Sequence, residues 1–92
     1  MSHTIRGKGK LLARARRIRG QVEGLERALD GEKGCSEVLH LIAAIRGAID
    51  GLMAEVLEDH IRTHVAAPDI TSAAERTRSA EELIGVLRTY LR

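Results

Sequence analysis

Apolar positions recur along this chain in alternating steps of four and three. Leu11, Ala15, Ile18, Val22, Leu25 and Leu29 form one such run, and Val38, Ile42, Ile45, Ile49, Leu52 and Val56 form another. That period is the seam of an α-helix; a half-buried strand would alternate every second residue, and no stretch here does. The first run ends at DGEKG, a glycine-rich break. The pattern predicts one helix over about residues 5–30 and a second over about 35–65. The second also carries Leu41, Ala44, Ala48 and Leu57 on another face, and a helix apolar on two sides is buried between partners. Pro68 in AAPD stops it.

A third apolar stripe runs through Ala80, Leu83, Ile84, Leu87 and Leu91. Two capping boxes compete for its start, one from Ser72 to Glu75 and one from Ser79 to Glu82. The earlier one is favoured and predicts a helix over about 72–91. The expected fold is all-α: a three-helix protomer forming one domain over residues 1–92. No internal repeat or low-complexity tract interrupts it.

Length changes the picture. Ninety-two residues with no Phe or Trp and one Tyr must build a core from Leu, Ile, Val and Ala. A chain this short buries only roughly 60–65% of its unfolded surface, so long helices leave apolar faces that another copy must cover. Gly20, Gly24, Gly47 and Gly51 lie inside the two long helices, where each costs about 1 kcal/mol relative to Ala. Close backbone approach is the usual compensation. No apolar run approaches the roughly 20 residues that span a bilayer, and no hydrophobic segment follows the basic start MSHTIRGKGK. A single cysteine cannot form an intrachain disulfide. These features predict a cytoplasmic protein in a reducing compartment, with no membrane partner.

The net charge is +2, but residues 1–22 hold seven Lys and Arg and no acid. A basic block on an otherwise acidic chain points to a polyanion partner. Arg14, Arg17 and Gln21 share one stripe of the first helix with Lys10 a turn earlier, and Arg16 and Arg19 flank it. Guanidinium groups bind phosphate and read guanine edges. Aromatic residues for stacking bases are missing, which favours duplex over single-stranded nucleic acid. No helix-turn-helix motif is present, so DNA would be gripped by an assembled basic surface.

The candidate metal ligands are His3, Cys35, His40, His60 and His64. His60 and His64 are about 40° apart on a helical wheel and one turn apart in height, so both can reach one ion. HIRTH lacks the glutamate that would make it a zinc-protease motif. Cys35 falls within about 20° of His60 on the same wheel, yet roughly 37 Å away along a straight helix. One chain cannot bring them together; an antiparallel second copy of the helix can. Its crossing point would lie near residue 48, among Ala44, Gly47, Ala48 and Gly51. Ligand spacing and small residues thus converge on an antiparallel dimer with two symmetric sites. At a helix N-terminus, Cys35 would favour its thiolate, the form that binds metal or attacks electrophiles.

His40 lies on another face and reads as a surface residue. His3, taken by itself, reads as tail, although removal of Met1 would leave the Ser2 amine beside it. One thiolate with several nitrogens suits Ni(II), Co(II) or Zn(II) better than Cu(I).

With Cys35, His60, His64 and the segments RARRIRGQV and IAAIRGAIDGLMAEVLEDHI in view, the whole chain resembles the CsoR/RcnR family of metal-responsive repressors. The resemblance implies antiparallel dimers, a tetramer built as a dimer of dimers, and operator binding by the apo form. Effector binding would release the DNA and induce an efflux or detoxification gene. The copper branch has a second cysteine where this chain has His64. The formaldehyde-sensing branch typically has Pro at position 2 and no His at the last ligand position; here stand Ser2 and His64. The nickel/cobalt branch is similar at every position. It implies five metal ligands: the Ser2 amine, His3, Cys35, His60 and His64. A roughly six-coordinate site would accept Ni(II) or Co(II) and disfavour tetrahedral Zn(II). The basic stripe of the first helix makes Lys10, Arg14, Arg16, Arg17 and Arg19 the expected DNA contacts. Two other readings remain at this point: a formaldehyde sensor using Cys35 and the Ser2 amine, and a small zinc metalloprotein or metal carrier. No hydrolase-like acid or base accompanies the ligands, so an enzyme is not expected.

Overall fold

The computed structural model describes residues 7–70 and 72–90. Three α-helices follow one another: α1 (Lys8–Asp30), α2 (Cys35–His60) and α3 (Ala73–Tyr90), with a π-helical turn, Ile61–Val65, directly after α2. The described residues contain no strand. Lys8–Ala54 forms one compact unit, and a second begins at Glu55.

Within the first unit, α1 starts three residues later than expected, after a turn at Gly7; Ile5 and Arg6 lie outside the described residues. Its end is a Schellman motif. Lys33 N–H bonds to Ala28 O at 2.9 Å and Glu32 N–H to Leu29 O at 3.1 Å. The left-handed residue such a motif requires is Glu32, at φ 55°, rather than either neighbouring glycine. Cys35 then opens α2, and the guanidinium of Arg14 lies at Gly51. The chain has therefore turned back, with α2 running antiparallel to α1.

Burial corrects the expected seams. In α1 the inward stripe is Leu11, Arg14, Ile18, Gln21, Leu25 and Ala28, while Ala15, Val22 and Leu29 are exposed. In α2 the half-buried residues of this unit include Val38, Leu41, Ile45, Ala48 and Leu52, while Leu39, Ile42, Ala44 and Ile49 are exposed. Each helix carries two apolar stripes, and a single partner helix covers only one of them. The exposed side of α2 keeps a regular ladder: Leu39, Ile42 and Ile49 are 57%, 44% and 42% exposed and lie four, seven and fourteen residues after Cys35. Burying such a side chain fully is worth about 1.5–3 kcal/mol, so this exposed ladder forgoes several kcal/mol of burial within the single chain.

In the second unit, the helix begun at Cys35 ends as expected near residue 65, but its last turn is wider. Ala66 N–H reaches five residues back to Ile61 O at 2.7 Å, and the Thr63 hydroxyl donates to Asp59 O at 2.7 Å. That back-bond occupies a carbonyl of the preceding turn. Ala67 to Ile70 then form a turn with Pro68 in its second place, closed by Ile70 N–H to Ala67 O at 3.1 Å. Ser72 caps α3 through Glu75 N–H to its Oγ at 3.1 Å, which selects the earlier of the two capping boxes. Arg76 donates to Ile70 O and ties the loop to the helix. Ala67 and Ile70 are buried beneath it. Along α3, Ala80 and Leu83 are half-buried but Ile84 and Leu87 are exposed. Among the described residues, the only buried apolar ones are Ala28, Ala67 and Ile70, a thin core for three helices.

Candidate metal centre and basic helix face

His60 ends α2 and His64 lies in the π-helical turn, with ring centroids 5.3 Å apart and planes tilted by 36°. The pair therefore faces one region, as the sequence spacing requires. Both are half-buried. His60 Nε2 lies 3.0 Å from the backbone carbonyl of Ser79 in α3. A carbonyl only accepts, so Nε2 carries a proton and donates it to this bond. This is the arrangement in which a metal-ligating imidazole is oriented by a partner behind it. Apolar walls hold the ring: His60 lines a cavity of about 240 Å³ with Val56, Leu57, Glu82, Leu83 and Val86.

Sequence reasoning missed two parts of this arrangement. Ser79 was a rival start for the third helix; it is instead a buried residue inside α3 whose carbonyl orients His60. The π-helical turn was the other. It has no hydrophobic signature, and Thr63 after Asp59 at a four-residue spacing is its one visible trace.

Cys35 is exposed and opens the helix that His60 closes. It belongs to the Lys8–Ala54 unit and the two histidines to the other. Among the described residues, no three His, Cys, Asp or Glu side chains form a metal-sized cluster. Cys35 does head the ladder of Leu39, Ile42 and Ile49, so whatever covers that ladder also meets the thiol. Ser2 and His3 lie outside the described residues. His40 is exposed, as expected of a surface residue. Two neighbouring imidazoles, one of them oriented by Ser79 O, suit a borderline divalent cation, as does an accessible thiol.

Lys10, Arg16, Arg17 and Arg19 are exposed on α1, and no acid accompanies them before Glu23. Arg14 departs from its neighbours. It is half-buried, and its Nη1 lies 3.2 Å from where a Cβ on Gly51 would sit. Gln21 departs further: its Oε1 is buried, so it faces inward instead of extending the basic stripe.

Residues 7–89 match the profile of a family described as metal-sensitive transcriptional repressors. The chain is 45% identical to the transcriptional repressor RcnR of Citrobacter koseri over the full length of both. It is 56% identical, again over both full lengths, to an uncharacterized protein encoded in the bioA 5′ region of Serratia marcescens. Among solved structures it resembles a glutamate-to-histidine variant of the formaldehyde-responsive regulator FrmR from Salmonella enterica serovar Typhimurium. The TM-score is 0.85 at 43% identity, covering 97% of this chain and 99% of that one.

Proposed function

Since this chain belongs to the CsoR/RcnR family of metal-sensitive transcriptional repressors, we propose that it is the Ni(II)- or Co(II)-responsive member that frees a metal-efflux gene. The family consists of DNA-binding repressors, so an enzymatic or carrier role is set aside. The observation that carries the reading is the His60–His64 pair with His60 tied to Ser79 O. It places two imidazoles side by side at the last ligand positions, the first of them oriented from behind. The name RcnR of a 45% identical relative supports the nickel/cobalt branch.

In this reading the ligands are the Ser2 amine, His3, Cys35, His60 and His64, with Cys35 of one copy meeting His60 and His64 of an antiparallel second copy. The exposed ladder behind Cys35 is the surface on which the copies meet, and two such dimers pair into a tetramer. Arg16, Arg17 and Arg19, with Lys10 and Arg14, grip operator phosphates in the apo state. Gathering ligands from two copies changes the spacing of those surfaces and weakens the grip, a coupling on the order of 1–3 kcal/mol. Zn(II), which prefers four ligands in a tetrahedron, would fill such a site less well. The test is a titration of Ni(II) and Co(II) into protein bound to a duplex selected from genomic DNA. Release near one equivalent per chain supports the reading; release by neither metal removes it.

A second reading is favoured by the exposed Cys35 and by the formaldehyde-responsive neighbour. The thiol would add to formaldehyde, and the Ser2 amine would then condense with loss of water to give a methylene bridge. That response would not need His64.

A further inference from the structure

We propose that Arg46 and Asp50 set the register of the antiparallel α2 pair, each Arg46 meeting Asp50 of a second copy across a two-fold axis. This rests on the pairing of α2 in the reading above and deepens it.

Arg46 and Asp50 are the only Lys, Arg, Asp or Glu residues between Glu37 and Glu55. Both are exposed, and among the described residues neither side chain has an ion-pair or hydrogen-bond partner. They stand one turn apart yet do not pair within the chain. Both lie on the ladder side of α2. At about 100° per residue, Arg46 falls within about 20° of Cys35 and of Leu39, and Asp50 about 20° beyond Leu39. Two charges therefore interrupt a face that also carries Ile42 and Ile49, 44% and 42% exposed. Covering that face with apolar side chains alone would strand both charges.

A second copy of the same face removes the conflict. With Cys35 opposite the His60–His64 turn, the helices cross near residue 48, midway between Arg46 and Asp50. A two-fold axis at the crossing sets each flank of α2 against the same flank of its partner. Arg46 of each copy then lies level with Asp50 of the other, and both pairs are of opposite charge. A slip of one turn in either direction would set Arg46 against Arg46 or Asp50 against Asp50. A parallel pair in register would do both. Apolar contacts at this spacing discriminate poorly between such registers, and the two charges decide among them.

The test uses two charge-reversed full chains, Arg46→Asp and Asp50→Arg, without metal. Alone, each places like charges together, and sedimentation should show association weakened on the order of tenfold relative to wild type. Mixed, the two restore opposite charges at both contacts. Native mass spectrometry with one chain isotope-labelled should then find mixed assemblies above the random share, an excess that salt reduces. Glu37→Arg in place of Asp50→Arg adds the same charge and should give no excess. A chain carrying both reversals should associate as wild type does. Random mixing of Arg46→Asp with Asp50→Arg would overturn the proposal, even if the doubly reversed chain associates normally, since the two residues would then act within one chain. Normal association of both single variants would overturn it too, and weakened DNA binding in Arg46→Asp alone would make Arg46 a phosphate contact instead. A wild-type chain that stays monomeric would remove the α2 pair itself. Nickel or cobalt response is read separately by the titration above, so the metal reading can stand when this one falls.

Discussion

His60 donates its Nε2 proton to the backbone carbonyl of Ser79, nineteen residues away, across 3.0 Å. The bond is made to the main chain, so the serine hydroxyl is not its source. Ser79→Ala should hold Ni(II) about as well as wild type. Ser79→Leu, placing bulk at a buried position, should displace α3 from His60 and lower affinity about 10–100-fold. Competition against a chromogenic chelator reads both. Equal losses in the two variants would show that the hydroxyl carries the effect.

Metal binding should require two chains. Cys35→Ala and His64→Ala chains should each fail to bind Ni(II). Mixed and allowed to exchange into two-fold dimers at random, they should regain about a quarter of the wild-type sites. A site assembled within one chain would regain none.

Repression and sensing should separate by element. Arg17→Ala should weaken DNA binding and lower its salt slope by about one for each phosphate it no longer neutralises, with Ni(II) affinity kept. Cys35→Ala should bind DNA as wild type does and ignore the metal. A reporter strain grown with and without nickel distinguishes constitutive expression from constitutive repression.

Stability should answer at two termini. Glu32 holds a left-handed conformation, φ 55°, at the end of α1, and Glu32→Gly should stabilise the protein by on the order of 1 kcal/mol. Ser72→Ala removes the hydroxyl that accepts Glu75 N–H and should cost about 1 kcal/mol. Urea denaturation at fixed protein concentration measures both.

Much of this molecule is legible in its residue pattern. The 4-3 spacing, the break at residues 31–34, Pro68 and the Ser72 cap place all three helices within three residues of where they lie, once the π-helical turn Ile61–Val65 is counted with α2. Facing was harder. Ala15, Val22 and Leu29 match the heptad as well as Arg14, Gln21 and Ala28 match the groove, and only the position of α2 decides between them. A period identifies a stripe but not its partner, above all in a chain whose apolar stripes outnumber its own helices' ability to cover them. The His60–His64 pairing follows from helical geometry and was visible. Its support by Ser79 joins two helices and leaves no local signal. The π-helical turn and the positive φ at Glu32 were hidden for a related reason, since neighbours impose both on residues of ordinary preference.

The proposed function stands on Cys35 and the two histidines binding one Ni(II) or Co(II) ion. Anaerobic titration of Co(II) into the reduced protein, followed by its absorption spectrum, reads that ligand set out. A near-ultraviolet thiolate-to-cobalt band with weak visible bands is expected, lost in Cys35→Ala and altered in His64→Ala. Intense visible bands would mean a tetrahedral site and return zinc as the effector. A spectrum without any thiolate band would contradict metal binding by Cys35 and leave it as a nucleophile, with formaldehyde the next ligand to add.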